Sequence, residues 1–205
     1  MDERSKSVLI EDNKSIYENY LVDLINCLKN LNLDSLDLLF NALIEAQEHG
    51  RTVFLCGNGG SGGNANHIAN DLLYPISKKF GLGIIAHSLS LNPSTITCLG
   101  NDEGYTSIFS YQLAVQAKKD DILIVLSGSG NSENILEALK LSKSIGMKTF
   151  SMLGFDGGEA KKLTDTSILF HVNDMQIAED MQLICLHMLV KKLYDHFSKV
   201  KSNFI

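Results

Sequence analysis

The chain has 205 residues, a formal net charge of -6, 44% hydrophobic residues and 20% charged residues, which is the composition of an ordinary globular protein. The sequence contains no dense run of Lys and Arg. Nucleic acid and anionic membrane surfaces are therefore not expected as partners, because both select clustered positive charge.

The cysteine spacing and the N-terminal residues predict a cytoplasmic protein. The four cysteines lie far apart without a CxxC motif, and the charged N-terminus lacks the apolar segment of a signal peptide. No stretch approaches the roughly 18 apolar residues of a membrane span.

The first third of the chain predicts two helices, a strand and a third helix. Apolar residues at three- and four-residue steps over 14–48 predict two amphipathic helices, broken near residues 30–34. The apolar run at 52–56 predicts a buried strand, and the helical composition that begins at Asn64 predicts a helix that stops around Pro75.

The remainder alternates between strands and helices. Strands are predicted at 83–89, 121–127, 148–155 and 166–172, and helices at 94–99, 107–117, 133–145 and from about Ile177 to the C-terminal end. This alternation predicts an α/β fold, a doubly wound parallel sheet sandwiched by helices. We expect one domain over residues 1–205, with N-terminal helices over about 1–50 and the α/β core over about 51–205.

Two glycine- and serine-rich segments follow predicted strands, and we call residues 57–63 the first loop and residues 127–132 the second loop. Glycines let the backbone approach a ligand, and a helix N-terminus offers unpaired N–H groups to an anion. A tight turn with a capping residue explains one such loop, but two in one sheet favour a phosphate site. Neither loop fits a P-loop or a dinucleotide fingerprint, so a small phosphomonoester is the expected ligand.

The segments LCGNGGSGGNANHIANDL, LGNDEGYTSIFS, VLSGSGNS, GFDGG and AEDMQ together resemble the sugar isomerase (SIS) domain family, and within it the phosphoheptose isomerases. The resemblance implies a flavodoxin-like fold and phosphate ligands at Ser61, Ser127, Ser129 and Ser132. It also implies sugar contacts from five residues, namely Asn58, Gly59, Gly60, Asp102 and Gln182.

The acid–base residues are expected on the helix after the first loop. His67 and Asp71 lie four residues apart and share one helix face. By the resemblance, Asp71 stands where the family has the catalytic Glu. The family's second His, eight residues after Gln182, is replaced by Val190, and His187 lies nearly one turn before that position. Asp71, His187 and His67 are therefore the predicted catalytic residues.

The same resemblance offers His67, Asp71 and Gln182 as ligands of a zinc ion. An amide oxygen is a weak zinc ligand, so the sequence does not predict tight binding, and no cofactor is expected to be required.

Three functions remain open from the sequence. The first is an isomerase that converts sedoheptulose 7-phosphate to D-glycero-D-manno-heptose 7-phosphate through an enediol, for bacterial lipopolysaccharide or capsule synthesis. The second is a non-catalytic regulator or scaffold that binds a sugar phosphate, as Val190 favours, and the third is an isomerase of another phosphorylated sugar such as a pentose.

An apolar stripe on the first helices is too broad for a monomer to cover completely; it comprises Leu21, Leu24, Ile25 and Leu28. Together with the resemblance, this stripe predicts that the N-terminal helices serve oligomerisation, in a homotetramer with sites at subunit boundaries.

Overall fold

The structure, a computed structural model, describes the backbone of residues 3–202 and the side chains of residues 15–200. The expected domain, residues 1–205, extends beyond the described side chains at both ends. Most of the charged N-terminal segment, from which a cytoplasmic protein was predicted, also lies outside the described side chains. The elements in chain order are α1 (Glu3–Lys29), α2 (Leu33–Glu48), β1 (Val53–Gly57), α3 (Gly59–Phe80), β2 (Ala86–Ser88), α4 (Pro93–Asp102), a 3₁₀ turn (Tyr105–Ser107), α5 (Ser110–Gln116), β3 (Ile122–Ser127), α6 (Glu133–Ile145), β4 (Lys148–Leu153), α7 (Ala160–Leu163), β5 (Thr166–Leu169) and α8 (Met175–Ser202).

The five described strands form one parallel sheet in the order β2-β1-β3-β4-β5. This is the flavodoxin-like order, and it confirms the predicted fold class. In this order β1 and β3 are neighbours, although they are distant in sequence, with Gly57 opposite Leu126 at their carboxyl ends. The two loops that follow these strands therefore start side by side.

Both faces of the sheet are covered, which explains the continuous apolar runs of β1 and β3. One core contains alternate strand residues such as Leu55 and Ile124 together with buried side chains of α2, α3 and α8. The opposite core contains Phe54 and Val125 with buried side chains of α5 and α6. The packing thus fixes α3 and α8 on the same face.

The predicted bounds of α3 are wrong at both ends. The helix begins at Gly59, inside the first loop, and it continues through Pro75 to Phe80. A proline in a helix interior costs about 3 kcal/mol. Burial of Leu72, Ile76 and Phe80 in the core offsets this cost.

Other elements also differ in their bounds from the prediction. The strand expected at 83–89 is reduced to β2, the helix expected at 107–117 is divided into the 3₁₀ turn and α5, and the short helix α7 was not predicted.

Within the described residues, no helix combines the length and apolarity that a membrane crossing requires. The four cysteines are unpaired, and Cys98 is the exposed one among them.

Candidate active site

The two loops enclose a pocket of about 200 Å³ at the carboxyl ends of β1 and β3. Its lining includes all four predicted phosphate ligands, Ser61, Ser127, Ser129 and Ser132, and also the predicted sugar contacts Asn58 and Gly59. A crevice at the carboxyl ends of parallel strands is where ligands bind in folds of this type.

Two helices begin at this pocket. Helices α3 and α6 both begin at it, and their N-cap residues, Asn58 and Ser132, make no side-chain capping hydrogen bond. The first N–H groups of both helices are therefore not satisfied by their caps, and the positive ends of two helix dipoles meet there. Such a pocket can hold a phosphate without a lysine or arginine in its lining.

The second loop orients its own hydroxyl groups. The Oγ atom of Ser127 accepts a hydrogen bond from the N–H of Gly130 at 3.1 Å, and Oγ of Ser129 accepts one from the N–H of Asn131 at 3.3 Å. Because both oxygens act as acceptors toward the backbone, their hydroxyl hydrogens can be donated to a ligand.

A pair of amides joins the first loop to the first turn of α6, which follows the second loop. Asn58 and the buried Asn134 exchange two hydrogen bonds of 2.9 Å between their side chains, and the hydroxyl of Tyr105 donates to Oδ1 of Asn58 at 2.9 Å. Asn58 was predicted to contact the sugar, but Asn134 and Tyr105 together use three of the four hydrogen-bonding positions of its side chain. Sequence reasoning missed Asn134 and Tyr105.

Helices α3 and α8 run side by side in the same direction from this pocket. Asn64 donates through Nδ2 to the backbone oxygen of Glu179 at 2.9 Å and to Oε1 of Gln182 at 3.2 Å. Further along, the ring of Phe80 packs on that of Tyr194. Residues of the two helices therefore meet in register over several turns.

One to three turns beyond the pocket, this register brings together the three predicted catalytic residues. The Nε2 atoms of His67 and His187 lie 3.0 Å apart. Oδ2 of Asp71 lies 3.3 Å from Nε2 of His67 and 3.6 Å from Nε2 of His187. The side chain of Asp71 is 19% exposed, and the two imidazoles are about half exposed. The cluster is open to a ligand while its carboxylate is shielded.

The helix phase explains why His187 belongs to this cluster and Val190 does not. Val190 is 8% exposed and lies within the core between the helices and the sheet. Gln182 is fully buried; its Oε1 accepts from Asn64, and its Nε2 has no partner within the described part of the chain.

The three donor atoms of the cluster fit a metal ion. Ligands about 2.0–2.1 Å from a tetrahedral zinc lie about 3.3 Å from one another, and the three separations found here are 3.0, 3.3 and 3.6 Å. Among the described residues, His67, Asp71 and His187 are the group of potential metal ligands whose donor atoms lie close enough together to hold one ion. The structure thus places His187 in the set for which the sequence suggested Gln182.

Two other predicted sugar contacts, Asp102 and Gly60, are not among the residues that line the pocket. Asp102 is exposed, does not line the pocket, and accepts hydrogen bonds from Nδ2 of Asn101 at 2.7 Å and from the thiol of Cys98 at 3.4 Å. The hydrogen bond from Asn101, and to a smaller extent that from Cys98, lowers the pKa of Asp102. Gly60 lies beneath the carboxylate of Glu179.

Sequence reasoning also missed Glu179. Its carboxylate lines the pocket, and Oε1 accepts a hydrogen bond from the N–H of Ser61 at 3.1 Å. The residue belongs to the AEDMQ segment that supported the family resemblance, but no local pattern indicates which acid of that segment reaches the pocket.

The model of the SIS domain family matches residues 16–154, which is more than half of the chain. The chain belongs to the SIS domain family. Among its relatives in the SIS family is a phosphoheptose isomerase of Helicobacter pylori, which is 38% identical over 76% of this chain and 81% of the relative. The phosphoheptose isomerase of a Nitratiruptor species is also 38% identical, over 75% of this chain and 82% of the relative.

The solved structures show the same relationship. A phosphoheptose isomerase from Francisella tularensis superposes with a TM-score of 0.81 at 28% identity, over 91% of this chain and 98% of that one. The phosphoheptose isomerase from Neisseria gonorrhoeae has the same TM-score at 23% identity, over 91% and 99% of the two chains, and shares the fold. These relatives and solved structures support the prediction from the sequence that this SIS protein is an isomerase.

Proposed function

We propose that the chain isomerises a phosphorylated sugar, with sedoheptulose 7-phosphate as the ketose substrate and D-glycero-D-manno-heptose 7-phosphate as the aldose product. The observation that carries this proposal is the position of the anion pocket and of the Asp71 cluster along the same pair of parallel helices. The names of the relatives support the same substrate.

The spacing of the two parts suits a long sugar. At 1.5 Å per residue, His67 lies about 9 Å and Asp71 about 15 Å along α3 from Ser61. A seven-carbon chain in extended form can bridge from a phosphate in the pocket to the near end of the cluster. A pentose phosphate is two carbons shorter, so its carbonyl end would lie farther from the cluster than that of the heptose.

The reaction needs one base and groups that manage oxygen protons. In the proposed mechanism the carboxylate of Asp71 removes a proton from C1 of the ketose, which forms the enediol, and a proton is then returned to C2. His187 and His67 lie beside Asp71 and are placed to pass a proton between the oxygens on C1 and C2. A zinc ion held by these three residues would supply polarisation of those oxygens when bound.

The alternative function, a non-catalytic regulator or scaffold, was suggested by Val190 at the position of the family's second histidine. The contact of His187 with Asp71 favours the isomerase instead, because it supplies a second imidazole from a neighbouring turn.

We further propose a cytoplasmic homotetramer that serves the synthesis of bacterial surface polysaccharide. The exposed side chains of Leu21, Ile25 and Leu28 on α1 support an oligomer, since together they form an apolar surface that water would otherwise cover.

The decisive test is proton exchange in heavy water. Purified protein is incubated with sedoheptulose 7-phosphate, and deuterium at the carbon next to the carbonyl is followed by NMR, with Asp71→Asn as the matched variant. We expect exchange in the wild type and a loss of about 10²–10⁴-fold in the variant. Binding of the sugar without exchange in the wild type would favour the regulator. Faster exchange with ribulose 5-phosphate would favour the pentose alternative.

A further inference from the structure

An acidic side chain occupies part of the proposed phosphate pocket. Glu179 lies in the first turns of α8, is half-buried, and accepts the N–H of Ser61 through Oε1. A methyl group at Gly60 would overlap both oxygens and the carbon of this carboxylate. The carboxylate therefore lies directly on the first turn of α3.

This arrangement is that of a bound anion. No Lys, Arg or His among residues 15–200 forms an ion pair with Glu179. Its carboxylate instead faces the start of α3, where the N–H of Ser61 donates to it and the helix dipole is positive. The same carboxylate lines the pocket together with Ser129 and Ser132.

The carboxylate and a ligand phosphate cannot both accept the hydrogen of Ser61 N–H, and two negative groups this close repel each other. We propose that Glu179 is an internal competitor of the substrate phosphate, which fills the amide side of the pocket in the free protein and leaves it when the sugar phosphate binds. This inference rests on the proposed function, because it takes the pocket to be the phosphate site.

The competitor lowers the affinity for every phosphate ligand by the same factor. Its displacement from Ser61 is required whether the phosphate is free or attached to a sugar. Removal of the charge at position 179 should therefore tighten the binding of inorganic phosphate and of the sugar phosphate equally. A charge-assisted hydrogen bond of this kind corresponds to about a tenfold change.

The experiment measures inorganic phosphate binding by calorimetry in the wild type, Glu179→Gln and Glu179→Ala, with Asp180→Asn as the matched control. Asp180 is the next residue on α8 and accepts the hydroxyl of Tyr20 outside the pocket. We expect phosphate to bind about tenfold more tightly in both Glu179 variants and unchanged in the control. Circular dichroism melting of each variant verifies that it is folded.

The KM for sedoheptulose 7-phosphate should fall by the same factor as the dissociation constant of phosphate. Phosphate binding that is unchanged or weaker in both folded variants would overturn the inference. So would a KM that rises while phosphate binds more tightly, because Glu179 would then be a ligand of the sugar. Tighter phosphate binding without any turnover in the wild type would uphold the inference and reject the proposed function.

Discussion

The Nε2 atoms of His67 and His187 face each other at 3.0 Å, although 120 residues separate them in the chain. Two imidazole nitrogens at this distance either share one hydrogen bond or direct two lone pairs at the same cation. Both arrangements include the carboxylate of Asp71, whose Oδ2 is within 3.6 Å of each ring. The three residues therefore form one unit, contributed by two helices.

Replacement of His187 should impair the chemistry without weakening phosphate binding. We expect His187→Ala to lower kcat by about 10²-fold or more, as for loss of an acid–base group, with little change in the affinity for inorganic phosphate. His49→Ala is the control, because His49 is exposed and contacts the backbone oxygen of Glu45 on α2. Steady-state kinetics of both variants decide the matter, and an unchanged kcat in His187→Ala would remove that residue from the mechanism.

A histidine at position 190 should not rescue that variant. Val190 is buried in the core, so Val190→His is expected to lower the free energy of unfolding by about 1–3 kcal/mol through burial of an unpaired polar ring. Urea unfolding measures the destabilisation, with Val190→Ile as the control. Recovery of activity in the double variant His187→Ala/Val190→His would show that α8 can present position 190 to Asp71, contrary to the helix phase described above.

Zinc binding should depend on all three donors of the cluster. Calorimetric titration of the chelator-treated protein is expected to show one zinc site per chain, lost in His67→Ala and in His187→Ala. His87→Ala is the control, since His87 lies on β2 and is exposed outside the cluster. An equal affinity in His67→Ala and in the wild type would place any zinc elsewhere.

The Asn58–Asn134 pair should hold the first loop at a fixed distance from the start of α6. Asn134→Asp keeps one acceptor but removes the donor to Oδ1 of Asn58, so we expect a loss of about 1–3 kcal/mol in stability because the residue is buried. We also expect a higher KM for the sugar phosphate with a smaller effect on kcat. Thermal unfolding and kinetics test the two effects separately, and an unchanged KM would mean that the pair stabilises the fold alone.

The sequence predicted the parts of the fold in which local pattern and burial agree. Strand β3 was recognised because burial on both faces of a parallel sheet produces a continuous apolar run. The start of α3 was missed because helix propensity disfavours glycine, whereas here the glycines allow the close contact between Gly60 and the carboxylate of Glu179. The end was missed because core packing outweighs the cost of Pro75.

The sequence could indicate the residues of the pocket lining that follow a strand, but not the contacts that depend on how helices pack. The four serines could be recognised because they stand in glycine-rich segments after strands. The contact of Glu179 with Ser61 joins residues 118 positions apart, and no local pattern encodes it. Counting residues from Gln182 indicated Val190, but the orientation of α8 against α3 decides which histidine meets Asp71.

The parallel packing of α3 and α8 has an evolutionary consequence. Because the pocket between the two loops and the Asp71 cluster occupy different turns of the same two helices, a substitution in a later turn can alter the cluster while the lining of the pocket stays intact. Changes in the cluster and retention of the pocket can thus proceed independently in proteins built on this helix pair.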